Sequence, residues 1–462
     1  MIICDDVRQS VPFLRYVAYQ TVRCLVTRFL SRSAVLVAGL AVCASTTWAQ
    51  DRQPGVSIGL NRVVGSKIGL LVLPMASSGG DSLATILSRD LDYSDRFQMV
   101  ATSSVAGPIA TGPAAVGPMP AANYPLYAKL GADGVVQGTL LPSGWLRIAL
   151  HDIARKTVIN QKDFPLPSPA FTASWRMAAH GVSDAIEEWI VGQRGIAQTR
   201  IAFVRAGRVW TIDSDGANVI PVTPSGLSPQ WVPSGRGLVY SVLDGVRDPL
   251  MYLDLATGAQ RVLAMAPGTQ NFSPAVSPDG RSVLFARALE NGTDLYSIPI
   301  EGGTPRRITV GRGRISVQPS FSPDGQRIVF TSDRSGRSDV YISDVDGTNA
   351  EVLSAATFGD RGNRTGPDWS PDGRLVAFQT LNDNSKQIMT ISMRDQTVRA
   401  VATEGRNDDP SWAPDSRHVV FTSDRSGVKQ LWITDVESGR TRQLRTPSES
   451  RLAAWSPRLP TP

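Results

Sequence analysis

Phe321-Ser322-Pro323-Asp324-Gly325, running on into Gln326-Arg327-Ile328-Val329-Phe330, decides how the rest of this chain is read. The stretch recurs as Val276-Ser277-Pro278-Asp279-Gly280, as Trp369-Ser370-Pro371-Asp372-Gly373 and, altered, as Trp412-Ala413-Pro414-Asp415-Ser416. Weaker copies flank these at Trp231-Val232-Pro233-Ser234-Gly235 and Trp455-Ser456-Pro457. Successive prolines stand 45, 45, 48, 43 and 43 residues apart. A strand-rich repeat of that length marks a β-propeller with one blade per repeat.

Each repeat reads as four strands. The residues before Ser-Pro form a short inner strand, because proline cannot donate to a ladder and suits a strand's end. Asp-Gly supplies the hairpin turn, with glycine taking the positive φ. The repeated aspartate is therefore a turn residue rather than half of a catalytic carboxylate pair. A second strand alternates, as at Ile328 and Phe330. The third and shorter fourth strands fall at 339–343 and 351–353. Residues 201–204 and 208–212 read as strands with no inner strand ahead of them, and 453–457 as an inner strand with no blade of its own. Joined, they predict six blades in residues 200–462, closed by strand exchange between the two ends of the propeller.

The 462 residues leave room for a second domain. Arg28 and Arg32 precede an apolar run from Ala34 to Val42, and Thr47-Trp48-Ala49 offers small residues for a signal peptidase. Residues 1–49 read as a signal peptide cleaved after Ala49, the run being too short for a membrane span. All three cysteines, Cys4, Cys24 and Cys43, fall in that leader, so the processed chain has neither disulfides nor a cysteine nucleophile. The leader holds five arginines against Asp5 and Asp6, so the formal +6 of the whole chain drops to +3 without it. That balance gives no footing for nucleic acid.

Residues 50–66 are polar and glycine-containing and read as a mobile arm. Residues 67–191 pattern as a small α/β domain. A buried strand at 67–74 precedes a helix at 82–93 capped by Asp81, with strands at 97–100, 134–140, 145–152 and 156–164 and a short helix at 124–130. A long helix over 171–191 carries Phe171, Trp175, Ala178, Val182, Ile186 and Trp189 on its apolar face, which reads as core. Residues 192–199 link it to the propeller.

Enzymatic and metal signatures are missing. His151, His180 and His418 are far apart, lack metal-ligand spacing and read as structural or solvated. There is no G-x-S-x-G elbow, and Gly311-Arg312-Gly313 lacks the Lys-Ser/Thr of a phosphate loop. No metal and no cofactor is expected. A propeller bearing a hydrolase domain would need catalytic residues after the last inner strand, where only 458–462 follow. A polysaccharide lyase would need histidines in the channel, and a glycan-binding propeller several exposed aromatics there. A secreted propeller that binds or cleaves a polysaccharide or peptide is the alternative reading.

Three segments carry a resemblance: Ser88-Arg89-Asp90-Leu91-Asp92-Tyr93-Ser94-Asp95-Arg96-Phe97, Leu130-Gly131-Ala132-Asp133-Gly134-Val135-Val136-Gln137-Gly138 and Thr199-Arg200-Ile201-Ala202-Phe203-Val204. With the Ser-Pro-Asp-Gly blades, they make the chain similar to the TolB family, the periplasmic component of the Tol–Pal system, from about Gly55 to Pro457. The resemblance implies a non-enzymatic, monomeric, periplasmic binding protein. It would link the lipoprotein Pal to TolA and other Tol proteins, keep the outer membrane intact and support its constriction at division. It would reach the outer membrane peripherally, through Pal. It also implies that Pal docks over one mouth of the propeller channel, and that the arm, here Gln53, Gly55, Val56 and Ile58, contacts TolA.

The residues leading into the inner strands should line that mouth. They are Leu227-Ser228, Gln270-Asn271-Phe272-Ser273, Ser316-Val317-Gln318, Asn363-Arg364-Thr365-Gly366, Asn407-Asp408-Asp409 and Arg451-Leu452. Interface cores favour aromatic and arginine anchors, so Phe272 and Arg364 are the expected anchors. Gln270, Asn271, Ser273, Val317, Gln318, Thr365, Asp408 and Asp409 are the expected surroundings. The chain departs from better-known members in having no histidine before Pro274 and an Asp-Asp pair before Pro410.

Overall fold

A computed structural model describes residues 67–75, 83–101, 119, 121–245, 247–311, 314–353, 362–382 and 385–460. The leader, its cleavage site at Ala49, the arm with Gln53, Gly55, Val56 and Ile58, and Asp81 all lie outside the described residues.

The first segment is an α/β layer. Its elements are β1 (Ile68–Val72), α1 (Leu83–Tyr93), β2 (Phe97–Met99), α2 (Tyr124–Lys129), β3 (Gly134–Leu140), β4 (Trp145–Asp152), β5 (Thr157–Pro165) and α3 (Ala173–Val191). The sheet order is β2-β1-β3-β4-β5, with β1 parallel to β2 and β3 and the remaining pairs antiparallel. Leu83, Ile86, Leu87 and Leu91 of α1 and Trp175, Ala179, Val182, Ile186 and Ile190 of α3 recur at helical spacing and are buried in one cluster with β1, β3 and β4. The long helix begins two residues later than its apolar pattern suggests. Thr172 caps it by accepting the Trp175 N–H, and Phe171 stays outside at φ 66°, 43% exposed.

The propeller has six four-stranded sheets. Blade one runs Leu227–Trp231, Gly237–Ser241, Leu250–Asp254 and Gln260–Ala264; blade two runs Gln270–Val276, Ser282–Leu289, Gly292–Pro299 and Arg306–Arg307. Blade three runs Ser316–Phe321, Arg327–Ser332, Asp339–Asp344 and Glu351–Val352; blade four runs Asn363–Trp369, Leu375–Asn382, Ser385–Ser392 and Val398–Ala402. Blade five runs Asn407–Trp412, His418–Ser423, Gln430–Asp435 and Thr441–Leu444. The sixth sheet combines Arg451–Trp455 with Arg200–Arg205, Arg208–Asp213 and Ile220–Pro221, pairing Trp455 with Ile201.

One large aromatic per blade is fully buried on the second strand: Tyr240, Phe285, Phe330, Phe378, Phe421 and Phe203. These rings fill the wedges between neighbouring sheets, each stabilising by about 1.5–3 kcal/mol through burial. The turns behave as their sequence dictates. Ser277 Oγ donates to Asp279 Oδ1, which also accepts the Arg281 N–H, while Gly280 sits at φ 72°. Ser322-Asp324 and Ser370-Asp372 repeat the arrangement. The serine hydroxyl, and after it the backbone amide, hold the Asp279 and Asp324 carboxyls below their usual range.

The connection between the two segments is built in rather than loose. Ile196, Ala197, Gln198 and Thr199 are buried, and the Asp184 carboxylate of α3 accepts the Ala197 and Gln198 N–H groups. No helix among the described residues is long and apolar enough to cross a membrane.

Candidate functional site

The inner strands surround a channel of about 480 Å³. Each reaches it through the same irregularity. Register shifts separate Phe272 from Ala275, Val317 from Ser320, Thr365 from Asp368, Asp408 from Ser411 and Arg451 from Ala454, and one opposes blade one's inner strand between Val239 and Ser241. At each bulge one residue turns left-handed: Ser228 at φ 47°, Ser273 at 48°, Gln318 at 53°, Gly366 at 62°, Asp409 at 54° and Leu452 at 53°. Only one of the six is glycine. Each of the others costs roughly 1–2 kcal/mol of backbone strain, and all but Leu452 precede a proline, which restricts them further. A bulge bends a strand and re-aims a side chain; here all six line the channel.

Counting back from that point sorts the expected mouth residues into three layers. The left-handed position faces the channel, so Ser273, Gln318 and Asp409 are presented there, with Ser228, Gly366 and Leu452. The position before it holds the half-buried Leu227, Phe272, Val317 and Thr365, the buried Asp408 and the exposed Arg451. Phe272 and Val317 pack on the core between blades two and three, so Phe272 is not the free aromatic anchor that its sequence context suggested. Gln270 is exposed at the start of its strand.

The third layer is buried and corrects two expectations. Asn271 is fully buried: its amide donates to Asp248 O of the preceding blade and its Oδ1 accepts Arg287 Nε. Arg364 is 4% exposed and pairs with Asp339 of blade three at 3.1 Å. Asn407 occupies the matching place in blade five and donates to Lys386 O and Ala402 O of blade four. Polar side chains here tie one blade to the next, so Arg364 and Asn271 are not surface contacts. An inner-strand residue three before the first proline faces the neighbouring sheet, which leaves it no route to solvent.

The bulges also leave backbone donors off the ladder, and the neighbouring blade accepts them. Gln318 Oε1 takes the Gly366 N–H at 3.0 Å, and Gln379 Oε1 takes the Asp409 N–H at 2.8 Å. Lower in the channel, Ser320, Asp368 and Ser411 accept the N–H groups of Trp369, Trp412 and Trp455, each from the following blade. Burial pushes the Asp368 carboxyl up to about 6, against these hydrogen bonds. Burial, then the neighbouring Asp408 charge, pushes Asp409 up to about 6 as well. Asp408 itself forms an ion pair with Lys386 at 2.7 Å.

Sequence reasoning missed Asp368, and it missed Lys386 and Lys429, which face Asp408 at 2.7 and 4.0 Å. The usable signal was a second proline series, at 229, 274, 319, 367 and 410, each four residues before a turn proline. It marks the bulges and hence the channel-facing residues.

All three histidines lie away from the channel. His151 is buried in the α/β sheet, bonded to Tyr124 Oη, and burial lowers its pKa. His180 and His418 are buried where the α/β segment meets blades six and five. They sit in two groups with ligand-type atoms, Asp90-His180-Asp215 and Asp95-His418-Asp435. Arginines already occupy Asp215, Asp95 and Asp435, so these are ion-pair clusters.

A family model described as the TolB beta propeller domain matches residues 187–459. This chain belongs to the TolB propeller family. A Tol-Pal system protein TolB from Polaromonas sp. is 29% identical over 263 residues, covering 53% of this chain and 56% of the relative. The corresponding protein of Methylococcus capsulatus is 30% identical over 260 residues, with the same shares. The chain thus spans a little over half the length of the curated TolB relatives it matches. The crystal structure of TolB from Acinetobacter baumannii superposes with a TM-score of 0.73 at 23% identity, over 85% of this chain and 97% of that one. At that identity the likeness concerns the fold, α/β segment included.

Proposed function

We propose that this chain is a non-enzymatic binding protein of the Tol–Pal system that works in the periplasm and links the lipoprotein Pal to the inner-membrane Tol proteins. In this reading it helps keep the outer membrane intact and supports its constriction at division. Residues 1–49 are the cleaved leader, 50–66 the arm that meets TolA, 67–191 the α/β domain, 192–199 the connection and 200–462 the propeller. The protein acts as a monomer and touches the outer membrane through Pal.

One observation carries the reading: five residues with strained left-handed backbone, completed by Gly366, are held in a ring at one channel mouth. Strain of this kind persists where surrounding structure over-determines it and clusters at binding sites. The ring is mostly small and polar, which suits insertion of a protein loop. The histidines are committed to the α/β sheet and its junction, so the channel has no general base of that type. Family membership supports the system, and the resemblance supplies the partners.

The test is a pull-down from a detergent-solubilised envelope extract, with the chain as bait and a Ser228→Gln/Ser273→Gln variant beside it. Recovery of a Pal-like lipoprotein, reduced about tenfold or more by the variant, is expected for a hot-spot ring. Equal recovery moves the site elsewhere. Retention on a glycan column with no lipoprotein defeats the reading.

A further inference from the structure

The junction between the α/β segment and the propeller buries an unusual density of charge, none of it used by the channel. His180 of α3 lies 2.7 Å from Asp90 of α1 through Nδ1, and its Nε2 points at Asp215 of the propeller at 3.8 Å. Arg89 and Arg176 reach the same Asp215 oxygen at 2.7 and 2.6 Å, and Ser183 Oγ donates to Asp90.

The second cluster is built the other way round, with its histidine on the propeller. His418 Nδ1 meets Asp415 at 2.6 Å, and its Nε2 meets Asp95, just beyond α1, at 3.4 Å. Arg440 contacts Asp95 and Asp92, Arg417 pairs with Asp435, and Lys67 stands 3.9 Å from Asp95. Arg442 stacks on Tyr93 between the clusters. Both imidazoles are essentially sealed from solvent, at 0% and 1% exposure.

We propose that these two buried histidine–carboxylate clusters form a charge-dependent latch between the α/β domain and the propeller: protonated imidazoles hold the two in one orientation, and loss of those protons frees the junction.

The reason is charge balance. Asp90 and Asp415 are buried carboxylates whose facing cations are His180 and His418. Deprotonating an imidazole leaves a carboxylate in low dielectric with its compensating charge removed, which is the strongly unfavourable half of a broken buried pair. Burial by itself would lower the His180 pKa; Asp90, with Asp215 and Asp213 behind it, reverses this and lifts it to about 9. For His418, burial is outweighed by Asp415, Asp95 and Asp435, again to about 9.

Two buried carboxylates at the junction act in the same direction, while burial lowers the Arg442 guanidinium to about 10, at the upper end of the range tested below. Glu187 of α3 pairs with Arg96, and burial pushes its carboxyl up to about 8. Asp184, also buried, rises to about 6. Both gain negative charge as pH rises, so neither opposes the loss at the histidines. A group whose pKa is raised on folding contributes stability below its unfolded value and loses it as pH climbs through the folded value. The window therefore lies on the alkaline side, ending near 9.

The experiment is hydrogen exchange by mass spectrometry on the full chain, corrected for intrinsic rates. It compares Leu83–Tyr93 and Arg208–Asp213 with Arg327–Ser332 in blade three, far from the junction. Junction protection should fall about tenfold or more between about pH 7 and about pH 10 while blade three is unchanged. His180→Gln/His418→Gln should give the low junction protection at both pH values, with blade three intact. Unchanged junction protection in the wild type, loss in step with blade three, or the same pH step in the double variant would each overturn the latch. If the double variant does not fold, His418→Gln alone should about halve the step, and an undiminished step, as Glu187 alone would give, would overturn the latch.

Discussion

Arg364 and Asp339 face each other 3.1 Å apart between blades four and three, both less than 5% exposed. A pair so buried holds one sheet against the next, and Arg337, 2.9 Å from the other oxygen of Asp339, shares the load. Arg364→Ala should lower unfolding free energy by less than the about 3–5 kcal/mol of a fully unpaired buried charge, because Arg337 stays beside Asp339. Arg364→Ala/Asp339→Ala should cost less than the sum of the single variants in a urea-denaturation cycle. Additive losses would show that the two residues act separately.

Gly366 tests the ring's backbone. A Cβ added there meets nothing closer than 3.6 Å, at Gln318 Nε2, so space is not the obstacle. The cost of Gly366→Ala is then conformational, about 1 kcal/mol for a left-handed residue. Thermal denaturation should show a small drop with channel-mouth binding retained. A loss of several kcal/mol would point to steric conflict instead.

Asp409 gives the channel a pH dependence of its own. Its carboxyl is pushed up to about 6, so the folded state takes up a proton that the unfolded chain does not hold between about 4 and 6. Stability from this group is present below its unfolded value and is lost as pH rises through 6. Asp409→Asn should therefore raise the midpoint of unfolding at neutral pH and shrink the gain seen on acidification. A variant with the wild-type profile would assign the titration to Asp368 or Asp184.

Phe378 represents the ring of six buried aromatics. It is fully buried between blades three and four. Phe378→Ala should cost about 3–5 kcal/mol, and Phe378→Leu clearly less. Equal losses would mean that the blades relax around the gap.

The blades were legible because their period is carried by residues with fixed backbone demands. Pro323, Asp324 and Gly325 can occupy that turn in few other ways, and Phe330 follows at a fixed distance. The mouth was legible only in part. Its location follows from topology, but whether Arg364 or Asp409 points outward depends on a bulge, and a one-residue shift moves a strand's side chains to the other face. The five prolines after the bulges encode that shift, while the residue types before them vary. His180 and His418 read as unrelated because their partners come from both segments. One local clue existed. Blade five has Ala413 where blades two, three, four and six have serine, so Asp415 lacks a hydroxyl neighbour and is free to bind His418. What looks like a degraded fourth copy of the turn is a turn turned to another use.

The sixth sheet has a consequence for how the chain comes into being. Its inner strand, Arg451–Trp455, pairs with Arg200–Arg205 across almost the whole propeller sequence. Until that strand leaves the ribosome, the three strands already made present an open edge, and the wedge filled by Phe203 stays uncovered on one side. Long-range pairing of this kind is slow because loop-closure entropy is spent before any contact forms. The last propeller strand to be made therefore decides whether the nascent chain becomes a ring or remains an arc with an adhesive end.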